Sequence, residues 1–283
     1  MRMDGGNGMK HGAAMNGRHV RALAALVIAL VAGALGLGGE IGPLLQQLGL
    51  PAATEAGGGA QSAGNAGDAN DTASAATSAT LAAVPAYSDS PYVYIAADAN
   101  HPQGTPTFTD SEVARAQNGT FEDYSPLDAL GRCGTATACV GRETMPTSRR
   151  RGDISQIHPT GWRQNFYDFV DQEALYNRCH LIARSLAAEE ANAQNLITGT
   201  RYLNAQGMLP FEETTVAYIR RTGNHVLYRV TPLFDGDNLL ANGVHMEARS
   251  VEDDGAGVCF NIYCYNVEPG VRIDYATGAN EAA

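Results

Sequence analysis

An arginine and a histidine two positions apart, Arg178 and His180, are followed further along the chain by Asn204. The three side chains have the chemistry of a hydrolytic site around one metal ion. In a strand, alternate side chains share a face, so Arg178 and His180 point the same way, and a returning strand and helix can bring Asn204 opposite them. Neutral imidazole takes a proton from water near pH 7. An amide oxygen is a hard, uncharged ligand suited to Mg²⁺, which keeps most of its waters and takes other ligands from substrate phosphate. Such an ion polarises a phosphate and stabilises a leaving oxygen, so the combination suits phosphodiester cleavage. Taken singly, His180 fits a core histidine, Asn204 a turn or helix cap, and Arg149 to Arg151 a solvated loop. Their joint pattern and order point to the chemistry.

The order of these residues resembles the DNA/RNA non-specific endonucleases of the ββα-metal (His-Me finger) class, most closely the secreted and DNA-entry nucleases of Gram-positive bacteria. The family motif is Asp-Arg-Gly-His, and this chain has Asn177-Arg178-Cys179-His180. Further stretches of the same character are Pro159-Thr160-Gly161-Trp162, the run from Asn195 to Phe211, Tyr228-Arg229-Val230-Thr231, and Ile273-Asp274-Tyr275-Ala276-Thr277-Gly278. The resemblance spans roughly residues 84 to 278.

The resemblance implies roles. His180 matches the general base, Arg178 the basic member of the motif, and Asn204 the metal-ligand asparagine. Asn195 matches an earlier asparagine that supports the site and is counted with the substrate-binding residues. Glu213 matches the acidic residue near the metal, with Glu212 as its alternative. The phosphate-binding basic residue falls in Arg149-Arg150-Arg151, with Arg151 the first choice and Arg150 beside it. The implied cofactor is Mg²⁺, with Mn²⁺ as a substitute, and the implied substrate is DNA, with RNA as a second candidate. No protein partner is implied. Cys179 in place of glycine implies that this position needs no positive φ.

The elements that must position these residues form an α+β domain: a central, mainly antiparallel sheet with a ββα-metal motif and flanking helices. Apolar positions place an amphipathic helix from Phe211 to Thr222, ended by Gly223. Period-two alternation predicts strands over His225 to Pro232, Val244 to Arg249, Val258 to Val267 and Val271 to Tyr275, with turns at Asp235 to Asn238 and Glu252 to Gly255. Tyr92 to Ala96 and Phe166 to Val170 are further strand candidates, Ser125 to Leu130 a capped turn or short helix, and Pro102 to Gln156 a long irregular stretch.

The 283 residues, 44% hydrophobic and 17% charged, suffice for one sizeable core. Residues 1–21 are a basic n-region expected in the cytoplasm, and residues 22–39 an uncharged apolar run expected to be a signal anchor or signal peptide. Residues 40–83, rich in Ala, Gly and Ser, bury too little apolar surface to offset ordering and are expected to be a disordered linker. Residues 84–278 remain as the catalytic domain, expected outside the cell, tethered to the membrane or secreted.

The net charge of −11 excludes a protein that binds nucleic acid through overall basicity. Arginines bracketing the motif can still focus a local positive field. Five cysteines leave at least one unpaired, and Cys133 with Cys139 could close a small loop, whereas Cys259 and Cys264 lie on opposite faces of a strand. No CxxC pair at zinc-finger spacing occurs. A second reading is a surface-displayed nucleic-acid-binding protein with a decayed site, motivated by Asn177 and Cys179. A polymorphic toxin ranks last, because the chain has no room for a delivery domain.

Overall fold

The computed structural model describes residues 80–148 and 152–283. The basic n-region, the apolar run and almost all of the linker lie outside the described residues, as do Arg149, Arg150 and Arg151. Among the described residues no helix is long and apolar enough to cross a membrane.

Ten strands are described: β1 (Tyr92–Tyr94), β2 (Phe121–Tyr124), β3 (Ala136–Val140), β4 (Tyr176–His180), β5 (Leu196–Thr200), β6 (Val226–Leu233), β7 (Gly243–Ser250), β8 (Cys259–Tyr265), β9 (Val271–Ile273) and β10 (Asn280–Ala282). The helices are α1 (Asp110–Gln117), α2 (Arg184–Ala187) and α3 (Leu209–Thr222). Six strands form one antiparallel sheet in the order β1-β8-β7-β6-β3-β2, while β4 with β5, and β9 with β10, form separate two-stranded ribbons. The expected α+β architecture is therefore present.

Alternation divides the sheet's two faces. Val226, Tyr228 and Val230 of β6, Val244, Met246 and Ala248 of β7, and Phe260, Ile262 and Cys264 of β8 are buried in one core with Phe211, Tyr218 and Ile219 of α3 and with Cys179 and Ile197 of the β4–β5 ribbon. Phe211 locks this layer, its ring centroid 5.0 Å from that of Phe260 and 4.8 Å from that of Tyr92. On the opposite face Leu227 and Cys139 pack with Ala116 of α1, and Leu233, Tyr263 and Tyr265 with Leu81, Val84 and Tyr87. Residues 80–83 form a helical turn, so packed chain begins slightly before residue 84.

Several expectations are corrected. Pro102 to Gln156 holds α1, β2 and β3 instead of being irregular. The start of α1 is legible in Thr109-Asp110-Ser111-Glu112, a capping box in which the Thr109 side chain accepts from the Glu112 N–H and the Glu112 carboxylate from the Thr109 N–H. Phe166 to Val170 is a turn-rich segment with a single bridge from Phe166 to Ala174. Of the two readings of Ser125 to Leu130, the capped turn is the one present, with Asp128 Oδ1 accepting from the Leu130 and Arg132 N–H groups. Cys133 and Cys139 are both free and buried, the first donating to the Ala193 and Leu196 carbonyls, so no loop is closed between them. Chain beyond Gly278 is also ordered, as β10.

Candidate active site

The β4–β5 ribbon pairs Tyr176 with Thr200, Asn177 with Gly199, Arg178 with Thr198, Cys179 with Ile197 and His180 with Leu196. A helix follows at once. Thr200 Oγ1 accepts from the Leu203 N–H at 2.9 Å and Glu268 Oε2 from the Tyr202 N–H at 2.8 Å, so two groups from other elements cap its first turn. The helix runs from Arg201 to Thr222, with a π segment at Leu203–Met208 ahead of α3, and ends where Gly223 adopts φ +80° and donates to the Ile219 carbonyl. Sequence periodicity found only the α3 part, because the π turn breaks the 3.6-residue repeat.

That π turn decides which residues share a face. In it the Leu209 N–H donates to the Asn204 carbonyl five residues back. In an unbroken α-helix, Glu212 would stand about 80° around the axis from Asn204; a turn that absorbs one extra residue, about 100°, reduces the difference to about 20°. Asn204 and Glu212 thus approach the ribbon together. Asn204 Nδ2 donates to Asn177 Oδ1 at 3.3 Å. Glu212 lies within electrostatic reach of buried Cys179, Tyr228 and Cys264; burial raises the pKa of each, and the Glu212 charge adds to the effect.

Burial, with a smaller contribution from the neighbouring Glu213 charge, pushes the Glu212 carboxyl up to about 8. Glu213 is exposed on the helix surface. Of the two adjacent acids it is therefore Glu212, the alternative, whose carboxyl turns toward the ribbon. The Tyr228 hydroxyl in the same layer is buried with no hydrogen-bond partner among the described residues.

Arg178 and His180 project from the other face of β4, as strand alternation requires. Arg178 Nε donates to the Ile157 carbonyl at 2.5 Å and Nη2 to the Ser155 carbonyl at 2.7 Å, while its guanidinium lies 4.3 Å from the Trp162 ring centroid. These contacts make Arg178 a brace for the loop before the ribbon. His180 Nε2 lies 3.1 Å from the Glu190 carbonyl oxygen. A carbonyl only accepts, so Nε2 carries the hydrogen, and in neutral imidazole Nδ1 is then the accepting nitrogen.

Asn195, expected to contact substrate, is fully buried. Its Oδ1 accepts from the Ile182 N–H at 2.8 Å and its Nδ2 donates to the Ile182 carbonyl at 3.0 Å, which uses the amide to close the end of the ribbon beyond His180. Both ends of the Asn195 amide are therefore engaged by the Ile182 backbone. Cys179 is extended and buried, with room for its thiol because a Cβ on Gly199 would come within 2.4 Å of Sγ.

Asn266 and Glu190 also hold the site in place, through contacts that no sequence motif marks. Asn266 Oδ1 accepts from the Thr200 N–H, and its Nδ2 donates to the Thr198 and Ala241 carbonyls, tying the ribbon to the end of β8. Glu190 accepts from Arg184 Nε and from the Gly152 N–H, and Arg184 Nη2 donates to the Ser148 carbonyl. This pair holds the residues on either side of Arg149-Arg150-Arg151. Neither role follows a periodic or motif signal, since each joins segments far apart in sequence.

The fold is similar to that of known proteins. NucA from Streptococcus agalactiae, in a crystal structure with magnesium ion bound, matches with a TM-score of 0.56 and 24% identity, over 69% of this chain and 91% of that one. Its structure with no metal bound matches with a TM-score of 0.55. Sda1 nuclease with bound zinc ion matches with a TM-score of 0.50 and 27% identity, over 58% of this chain and 81% of that one. No curated protein matches. The sequence profile of the DNA/RNA non-specific endonucleases covers residues 111–252, half of the chain, including the ribbon, the helix and most of the sheet. The chain belongs to the DNA/RNA non-specific endonuclease family.

Proposed function

We propose that this protein is a metal-dependent endonuclease that hydrolyses phosphodiester bonds of DNA, and of RNA, outside the cell. The observation that carries metal dependence is the orientation of the Asn204 amide: with Nδ2 donated to Asn177, its carbonyl oxygen is the atom left to face an ion. Among the described residues no three His, Cys, Asp or Glu side chains converge as a metal cluster. A donor set of one amide oxygen with a nearby carboxyl fits a hard ion that retains most of its water, as Mg²⁺ and Mn²⁺ do.

Asn204 would hold the ion and Glu212 would lie beside it on the same helix face. When bound, the ion supplies charge stabilisation at the phosphate and the leaving oxygen. His180, oriented through Nε2, takes the proton of the attacking water at Nδ1. Arg178 braces the loop of Ser155 and Ile157, and Asn195 and Asn177 hold the ribbon and Asn204 in register. Arg151, with Arg150, is assigned to substrate phosphate on the sequence resemblance. Extracellular placement rests on the basic residues 1–21 and the apolar run 22–39.

Digestion of supercoiled plasmid by the full chain with Mg²⁺, with Mn²⁺ and with EDTA tests the reading. Nicked and linear products with either ion and none with EDTA are expected; binding without cleavage in all three would establish the decayed-site alternative. Parallel incubation with single-stranded RNA tests the second substrate. Protease treatment of intact cells carrying a C-terminal epitope tests the location, since a protected epitope rejects it.

A further inference from the structure

We propose that Glu190 is a positioning residue that sets the tautomer of His180. The inference rests on reading His180 as the base, yet its geometry stands independently. The Glu190 carbonyl, 3.1 Å from His180 Nε2, is the acceptor that assigns the hydrogen to that nitrogen. Residues 189–192, on which it sits, belong to no helix or strand, so the regular hydrogen-bond ladders do not fix the carbonyl's direction.

The Glu190 side chain supplies what the ladders do not. One carboxylate oxygen accepts from Arg184 Nε at 2.5 Å and the other from the Gly152 N–H, so both are engaged by groups on different segments. Arg184 and Glu190 are both only about one-fifth exposed, at 20% and 21%. A charge-assisted bond sheltered to this degree is stronger than its solvent-exposed equivalent. Arg184 is itself rooted at the start of α2 and donates to the Ser148 carbonyl at 3.2 Å. The carboxylate therefore anchors its residue at two points, and the backbone carbonyl of the same residue faces the imidazole. With Nε2–H engaged, the lone pair for proton transfer is on Nδ1; with the carbonyl turned away, the two neutral tautomers compete and a fraction of molecules presents a hydrogen where the lone pair is needed.

Long-range ¹H–¹⁵N correlation spectra of ¹⁵N-histidine-labelled full-length protein test this, with the His180 signals identified by their loss in His180→Asn. The wild-type chain is expected to show one neutral tautomer with Nε2 protonated. Glu190→Ala should show averaged ring-nitrogen shifts, with kcat about tenfold lower and KM changed by less than about twofold, the pattern of a misdirected base. Glu190→Gln, which keeps the size and one acceptor, should restore most of the tautomer preference. If the Glu190→Ala and Glu190→Gln spectra both keep the wild-type His180 tautomer, the proposal is overturned whatever happens to activity. If His180→Ala remains active, the base reading fails instead, while the tautomer result stands because it requires no turnover.

Discussion

Asn204 and Asn177 form one hydrogen-bonded unit, the amide of the helix residue donating at 3.3 Å to the side-chain oxygen of the motif's first position. What this position supplies is an acceptor, which asparagine and aspartate both provide. Asn177→Asp keeps the acceptor and adds a negative charge beneath a cation ligand, so the Mg²⁺ midpoint for cleavage should fall severalfold. Asn177→Leu deprives a partly buried amide of its partner, at a cost of about 1–3 kcal/mol in stability, and should raise the midpoint. Mg²⁺ titrations and urea unfolding read both; an unchanged midpoint in the leucine variant would detach Asn177 from the site.

His180→Ala should lower cleavage on the order of 10²–10⁴-fold, the contribution of a positioned general base, while the unfolding midpoint stays close to wild type. The strand around it is held by Cys179 in the core and by Asn195 at its end, so the fold does not depend on the imidazole. A variant retaining more than about half of wild-type cleavage at the same Mg²⁺ would remove His180 from the chemistry.

Glu212 links stability to pH with a definite sign. Its carboxyl stands at about 8 in the folded chain against 4.5 ordinarily, so between these values the folded state holds a proton that the unfolded state has released. Stability from this group is full below the ordinary value and is lost as pH rises toward 8, with a slope of at most about 1.4 kcal/mol per pH unit. Glu212→Gln should flatten that slope in metal-free urea unfolding at pH 5, 6.5 and 8. An identical slope in the glutamine variant would show that Glu212 is not the group responsible.

His225 has the opposite surroundings. Its Nδ1 lies 2.5 Å from Glu252 and its Nε2 2.9 Å from Glu143, and since ionised carboxylates only accept, both contacts are hydrogen bonds only in the imidazolium. The bond to Glu252 and then that to Glu143 raise the His225 pKa against the opposing effect of burial. Glu143 is lowered by its own backbone N–H and by His225, and Glu252 is lowered because its hydrogen bonds to His225 outweigh burial. The imidazolium contribution is complete below about pH 6.5 and is lost as pH rises through the raised value, whereas the carboxylate contribution is lost in acid. With both carboxylates substantially exposed, His225→Gln should cost about 1 kcal/mol near pH 6 and almost nothing at pH 9. Equal losses at the two pH values would mean that packing, not charge, is what the histidine supplies.

Strand alternation and turn chemistry are local, and for that reason the later half of the domain was legible in the sequence. Val226, Tyr228 and Val230 pattern the β6 face, Gly223 marks the helix end, and the β4–β5 ribbon follows from the motif and the run after Asn195. The residue types of the site were legible too, since imidazole and amide oxygen suit this chemistry wherever they stand. Direction was not. The alignment of Glu212 with Asn204 to within about 20° depends on an i→i+5 turn at Leu209 that no periodic pattern announces. The burial of Asn195 against Ile182, the bracing of Arg178 by Ser155 and Ile157, and the anchoring of Glu190 by Arg184 and Gly152 join groups whose sequence separations carry no repeat. Hydrogen bonds of that kind are made only when distant segments meet, so the tertiary structure alone decides which polar groups are spent on the scaffold and which are left for chemistry.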